Sequence, residues 1–396
     1  MHATRVGSCT RVNGYGMILK VILKRSLLAI TAFLLATGTL GAQSPTSPLP
    51  TVRLIQADAM RLPGDVDSNS PVIWDLYDGR PEMYVLTSVA GRPSRANGGE
   101  LSSLGDPEPV DIQPWPGGGN WMESVIRDSV GTWYGFYHNE NTANIVCDPY
   151  TLKTFPRVGA ARSTDQGATW TDLGIILEAA PETFACDTSN EYFVGGVGDV
   201  SALLDPDQKD VYIYFSQYGR EKEDQGVAVA RVPWADLDDP VGKVTIWNDG
   251  VWLPPTSFED ETGQVHWEYP HATAIQPTTK PWHTGGEANA FCGPSIHRND
   301  SLQQYVMLLN RTVDDSFGQE GIYVAFNPRL DDPLGWSTPY KIVDGGGWYP
   351  QVVGLEEARG SDVWASRIAR FFMSGGSQFL IEFAPPSDSG PQPFRR

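Results

Sequence analysis

Apolar and polar residues alternate with a period of two through much of this chain, in short runs broken by Gly, Pro, Asp and Asn. That pattern predicts half-buried β-strands joined by tight turns. Its clearest instance lies between Gly195 and Tyr218. There Val200–Leu204 and Val211–Phe215 flank Asp205-Pro-Asp-Gln-Lys-Asp210, the composition of an antiparallel hairpin. Gly226–Val232 then predicts a third alternating strand, which ends at Pro233-Trp234.

The same order of signals recurs. Ser70–Trp74, a turn at Asp75–Arg80 and Met83–Leu86 form one unit; Trp121–Ile126, a turn at Asp128–Gly131 and Thr132–Tyr137 form another. Gly293–His297, a turn at Arg298–Ser301 and Gln304–Leu309 make a further copy, followed by a third strand at Gly321–Phe326. A weaker fifth runs from Trp348–Val353 to Val363–Phe372. Small sheets repeated along a chain are stabilised by packing radially on one another. The expected fold is therefore all-β, a five-bladed β-propeller of four-stranded antiparallel blades spanning residues 51–385 as one domain. Only a helical turn near Ala235–Leu237 interrupts it. The 41 Gly and 31 Pro residues suit many short strands, and no long 3.6-period apolar run competes with this reading.

The first 42 residues read as processing signal. Arg and Lys at positions 5, 11, 20, 24 and 25 precede the apolar run Leu27–Leu35, and Gly41-Ala-Gln43 offers a small-residue cleavage site. Met17 is an alternative start. The expected location is secreted or periplasmic, with a loose tail at 386–396. Residues 1–42 carry five basic and no acidic residues, so without them the formal charge moves from −19 to −24. A surface that acidic repels phosphate backbones and anionic lipid, which argues against nucleic-acid and membrane partners. An exported chain permits a disulfide between Cys147 and Cys186, while no cysteine or histidine spacing matches a zinc site.

Ser163-Thr-Asp-Gln-Gly-Ala-Thr-Trp170 matches the Asp-box pattern at every defined position. Asp165 is placed to cap turn amides, Gly167 to supply a positive φ and Trp170 to pack behind the hairpin, so its role is structural. Chemistry is expected where first strands begin, because a propeller gathers those ends in one funnel. Asp67, Glu123 and Asp199 stand there. One such acid is an ordinary loop residue; three converging like charges are costly unless used. Asn69 beside Asp67, His138 and Glu140 after the second strand's apolar run, Arg311 in the corresponding place further on, and Trp348 are candidate substrate contacts. Trp115, Trp121, Trp267 and Trp282 are candidate stacking platforms for sugar faces. His297, inside a first strand, reads as a core histidine or as a ligand for a cation in the channel.

The acids at the first-strand ends, the third strands Gly226–Arg231 and Gly321–Asn327 and the closing Gly345-Gly-Gly-Trp-Tyr-Pro350 resemble the five-bladed β-propeller glycoside hydrolases of the arabinanase, xylosidase and fructosidase superfamily. The resemblance implies a general base at Asp67, an assisting acid at Glu123 and a general acid at Asp199. It departs from the family at the last two positions, where Asp and Glu are exchanged, and it lacks the first-blade Asp-Pro signature, so a distinct subfamily is implied. The implied function is hydrolysis of neutral oligo- or polysaccharide, with carbohydrate as partner, no required cofactor and a structural cation possible in the channel. A sialidase-like hydrolase, suggested by the Asp box, and a non-catalytic carbohydrate-binding propeller are the alternatives.

Overall fold

A sheet whose two faces are both apolar must be covered on both sides, and here five such sheets cover one another in a ring. A computed structural model of the chain describes residues 48–147, 152–283 and 286–386. Its five small, mainly antiparallel sheets are the blades of a β-propeller. From the channel outward, blade one runs Val72–Tyr77, Arg80–Val89, Arg92–Gly98 and Glu108–Pro109; blade two runs Gly119–Arg127, Trp133–Thr142, Thr154–Ser163 and Thr169–Leu177. Blade three is Val197–Leu204, Asp210–Tyr218, Gln225–Pro233 and Thr245–Asn248; blade four is Phe291–Asn299, Gln304–Thr312, Gln319–Asn327 and Tyr340–Asp344. Blade five takes Gln351–Gly354, Ile368–Met373 and Gly376–Ala384 from the end of the chain and its outermost strand, Thr51–Arg61, from the beginning. That pairing closes the ring non-covalently.

Period-two alternation decides where the core lies. In blade three, Val211, Ile213 and Phe215 face blade two while Tyr212 and Tyr214 face blade four. The buried apolar residues accordingly divide into one seam per pair of neighbouring blades, with Ile73, Tyr84, Met122 and Trp133 joining blades one and two, and Leu308, Val324, Phe371 and Ile381 joining four and five. The seam of Val72, Met83, Val85, Val353 and Phe372 joins five back to one.

Several sequence expectations shift. The predicted turn at Asp75–Arg80 is shorter: the strand continues to Tyr77, and Asp78-Gly79, both with positive φ, turn the chain. Asp75 is buried in the seam instead, accepting from the Trp133 indole at 2.8 Å and pairing with Arg127 at 2.8 Å. Burial opposes its charge, yet Arg127, the Leu76 amide and Trp133 outweigh that and hold the carboxyl below its ordinary pKa. Arg298, expected in a turn, lies within the inner strand of blade four. The blades are also not uniformly four-stranded. Asp111–Gln113 adds a parallel edge to blade two and Val251–Leu253 an antiparallel one to blade three. The helical turn falls at Trp234–Asp236. Cys147 and Cys186 form a disulfide, and Cys292 is free and buried.

In the Ser163–Trp170 turn, Asp165 accepts from the Thr169 amide at 2.9 Å and its hydroxyl at 2.7 Å, and the Trp170 indole donates to Gly167. The turn joins the third and fourth strands of blade two. The signal-peptide reading of 1–42 lies outside the described residues, as does the tail from residue 387.

Asp75→Ala leaves a buried indole donor and a guanidinium without their acceptor. A loss of about 2–4 kcal/mol in unfolding free energy is expected from chemical denaturation. A change under about 0.5 kcal/mol, the range of ordinary surface substitutions, would contradict the role assigned to this pair.

Candidate active site

Inner strands have no strand partner along most of their channel-facing edge, so the amides there must find side chains. The chain meets this need with one device repeated. In blades one to four, a polar residue at the end of the second strand's apolar run accepts an amide from the next blade's inner strand or the residues leading into it: Ser88 from Met122, His138 from Asp199, Ser216 from Gly293 and Asn310 from Tyr349, at 2.9–3.1 Å. At these places the inner strands bulge. Glu123 is the extra residue in blade two, Asp199 and Val200 occupy the bulge of blade three, and Gly293 and Pro294 that of blade four. Asp199 and Tyr349 take positive φ values of 45° and 53°, unusual for residues with side chains, and a bulge re-aims the side chain it carries.

Glu123, His138 and Asp199 are thereby brought together. One donor atom from each lies within 4.8 Å of the others, and all three residues are buried. Glu123 accepts the Val200 amide across the blade seam, and Asp199 accepts the Tyr218 hydroxyl. Burial, reinforced by the charge of Asp199, raises the Glu123 pKa well above that of an ordinary carboxyl, so it holds a proton. Burial opposes charge on His138, but the carboxylates of Asp199, Glu140 and Glu123 outweigh it and raise its proton affinity well above normal. In the neutral ring Nδ1 accepts the Asp199 amide at 3.0 Å and the proton sits on Nε2, 3.4 Å from Glu140; in the charged ring Nδ1 carries a proton as well and faces the Asp199 carboxylate at 3.6 Å. A Cβ on Gly198 would stand 2.4 Å from that Nδ1, so the contact requires glycine there.

Asp67 is exposed and comes from the segment before blade one's inner strand, tied by its amide to Ser88. Partial desolvation of its carboxyl and the charges of Asp199 and Glu140 raise its pKa, while Trp121 and His138 oppose the shift. The Trp121 indole N–H is buried without a partner at hydrogen-bond geometry. Tyr349 is surrounded by the same group: burial first, then Asp199, Asp67, Glu123 and Glu140 raise its hydroxyl pKa well above normal. Four acids from three blades thus face one another electrostatically. Aromatic rings wall the group. Tyr218 stacks on Trp282 at 5.2 Å, Phe193 meets Tyr218 at 4.8 Å, and Phe317 meets Trp282 at 4.5 Å and Trp348 at 6.2 Å.

Other sequence candidates lie differently. Asn69 is buried and donates to the Pro294 carbonyl at 2.9 Å rather than to Asp67, with its Oδ1 unpartnered. Arg311 alternates with Asn310 and so points away from the channel, donating to the Tyr323 hydroxyl and the Asn289 carbonyl. His297 is buried beside Phe383 in the seam between blades four and five, with neither ring nitrogen hydrogen-bonded, and burial lowers its pKa to about 3. It does not belong to the one cluster of metal-type donors found among the described residues. Trp115 lies against the Arg92 guanidinium, and Trp267 packs on the seam of blades two and three. Tyr218, Tyr349, Phe193 and Phe317 do not stand out in the sequence, where aromatic residues beside strands read as blade packing.

No family model and no curated protein matches the chain. Among solved structures, the fold is similar to an endo-arabinase from Bacteroides thetaiotaomicron, with 12% identity over 85% of this chain and 100% of that one and a TM-score of 0.45. It is also similar to an exo-β-1,3-galactanase from Phanerochaete chrysosporium, with 13% identity, 85% and 67% coverage and a TM-score of 0.45. The catalytic domain of an α-L-arabinofuranosidase from Coprinopsis cinerea aligns at 10% identity, 85% and 98% coverage and the same TM-score. Likeness at this level leaves the chemistry to the residues of this chain.

Glu123 and His138 both hold protons more tightly in the folded chain than in the unfolded one, from ordinary values of 4.5 and 6.5. Between those values and the raised ones the native state binds more protons, so stability falls as pH rises. Glu123→Gln mimics the protonated acid and removes its share of that slope. Urea unfolding from about pH 5 to pH 8 should show wild type losing stability more steeply than the variant; equal slopes would mean that Glu123 ionises normally.

Proposed function

We propose that this protein is an exported glycoside hydrolase that acts on neutral oligo- or polysaccharide through Asp67, Glu123 and Asp199. The observation that carries the reading is the convergence of acids in different electrostatic states at one aromatic-walled funnel. Glycoside hydrolysis needs one carboxyl to protonate the leaving oxygen and another to activate water or attack carbon. In the close pair of Glu123 and Asp199, burial and the Asp199 charge raise the Glu123 pKa well above that of an ordinary carboxyl, against the opposing His138 and Val200 amide, and so favour its protonated form. That pair is assigned the acid. Asp67, exposed where water and substrate arrive, is assigned the base or nucleophile. His138 positions the pair by holding the Asp199 amide, with the Glu140 carboxylate 3.4 Å from its Nε2. Trp121, Phe317 and Trp348 offer rings to the faces of sugar units.

A second reading has its own support. The three donor atoms of Glu123, His138 and Asp199 fit a small divalent cation, and His138 Nε2 has no hydrogen-bond partner. A cation held there would keep both carboxyls ionised, which suits a structural channel ion in a carbohydrate-binding propeller. The two readings differ in what a chelator does. If the pair shares a proton as the hydrolase requires, EDTA leaves melting temperature and rate unchanged; a drop in melting temperature reversed by Ca²⁺ supports the cation.

Purified protein should hydrolyse at least one neutral aryl-glycoside or polysaccharide. Asp67→Asn, Glu123→Gln and Asp199→Asn should each lower kcat by about 10²- to 10⁴-fold with melting preserved. Turnover of sialosides alone, or full activity in all three variants, would overturn the assignment.

A further inference from the structure

The channel has a second end, and its chemistry is of opposite sign. The inner strands that carry the acids near their beginnings run away from the funnel, and their far ends enclose a cavity of about 730 Å³ with the loop after blade five's inner strand. Arg127 lies four residues past Glu123 in one strand. At about 3.3 Å of rise per residue the two are on the order of 13 Å apart, so this cavity is separate from the acid cluster.

Three guanidiniums line it, Arg127, Arg298 and Arg359, in a chain whose formal charge is −19. The Arg359 guanidinium carbon lies 3.8 Å from the Trp364 ring centroid and that of Arg298 5.1 Å from the Tyr305 centroid. Stacking spends the face of a guanidinium and leaves its N–H edge to bond in the plane. Arg298 uses one nitrogen on Gln303, and among the described residues neither Arg298 nor Arg359 has an ion-pair partner. Arg127 is paired with Asp75, but its Nε is buried with no partner. The one acid in the lining, Asp300, accepts from Gln303. The remaining wall is largely apolar, including Val72, Val125 and Leu203.

We propose that this cavity is a second binding site, taking a small ligand that carries a carboxylate on a ring or other compact body. The planar edges of Arg298 and Arg359 match the two oxygens of a carboxylate, and the apolar wall accepts the body that bears it. This assignment does not depend on the hydrolase reading.

Titration calorimetry on the purified protein tests it, with glucuronate and benzoate as carboxylate probes, glucose as the neutral control and inorganic phosphate as the competing anion. Saturable binding of glucuronate or benzoate is expected, with none of glucose at the same concentration; which of the two binds identifies the body as sugar or apolar. The double variant Arg298→Gln/Arg359→Gln should weaken that binding at least about tenfold, and Arg298→Lys/Arg359→Lys, which keeps the charge and loses the fork, should weaken it as well. Glu123→Gln should bind as wild type does. Binding of phosphate without either carboxylate, undiminished binding in both double variants, or loss of binding in Glu123→Gln alone would overturn the proposal. Circular dichroism of each variant confirms that it is folded.

Discussion

Everything at the channel depends on the unpaired edge of the inner strands. A strand at the centre of a propeller has a partner on one side and the channel on the other, and an unsatisfied buried amide costs on the order of 1–3 kcal/mol. Ser88, His138, Ser216 and Asn310 each reach across a seam to the following blade and take one of those amides. Two residues further along, Ser124 accepts from Ala202, Ser201 from Ile296 and Gln351 from Ser70. The blades are thus joined by polar contacts at the channel as well as by apolar seams outside it. The acids are part of the same system. Glu123 satisfies the Val200 amide and His138 the Asp199 amide, so the clustered titratable groups also close the edge.

That double duty explains the order of burial. Asp199 and Glu123 are buried and held by the blade seams, whereas Asp67 comes from a connecting segment and is exposed, with its carboxyl only partly desolvated. A free-standing pair of acids at such distance would separate or both protonate; here bulges in two different strands hold them in register. The positive φ at Asp199 is the backbone cost of that placement, offset by the Tyr218 hydroxyl and the amide contact to His138.

Much of this was legible from alternation and turn chemistry. The inner and second strands of four blades stand close to where the period of two put them, and Asp67, Glu123 and Asp199 stood out as polar residues interrupting strand starts. The same alternation, applied one residue further, explains Arg311 and His297: adjacent residues in a strand face opposite sides, so with Asn310 on the channel Arg311 points outward, and with Ile296 in one seam His297 lies in the next. Asp75 was misplaced because an acid before Tyr-Asp-Gly looks like a turn residue until Trp133 and Arg127, both more than fifty positions away, are seen to need it. Tyr349 and Tyr218 gave no signal, since what distinguishes them is proximity to carboxylates from other blades.

A parallel arrangement of five inner strands also makes the two ends of the channel chemically independent. Every inner strand contributes its beginning to one end and its termination to the other, so the acids needed at the funnel place no demand on the residues a few positions later. Between them lie mainly apolar residues of the seams and the Ser and Gln contacts that close the edges. Opposite charges collected at the two ends are separated by more than the roughly 8–10 Å over which exposed charges interact at physiological salt. The influences that oppose the raised pKa of Glu123 are led by neighbours at its own end, His138 and the Val200 amide. A propeller built this way can keep a protonated acid at one mouth and unpaired cations at the other.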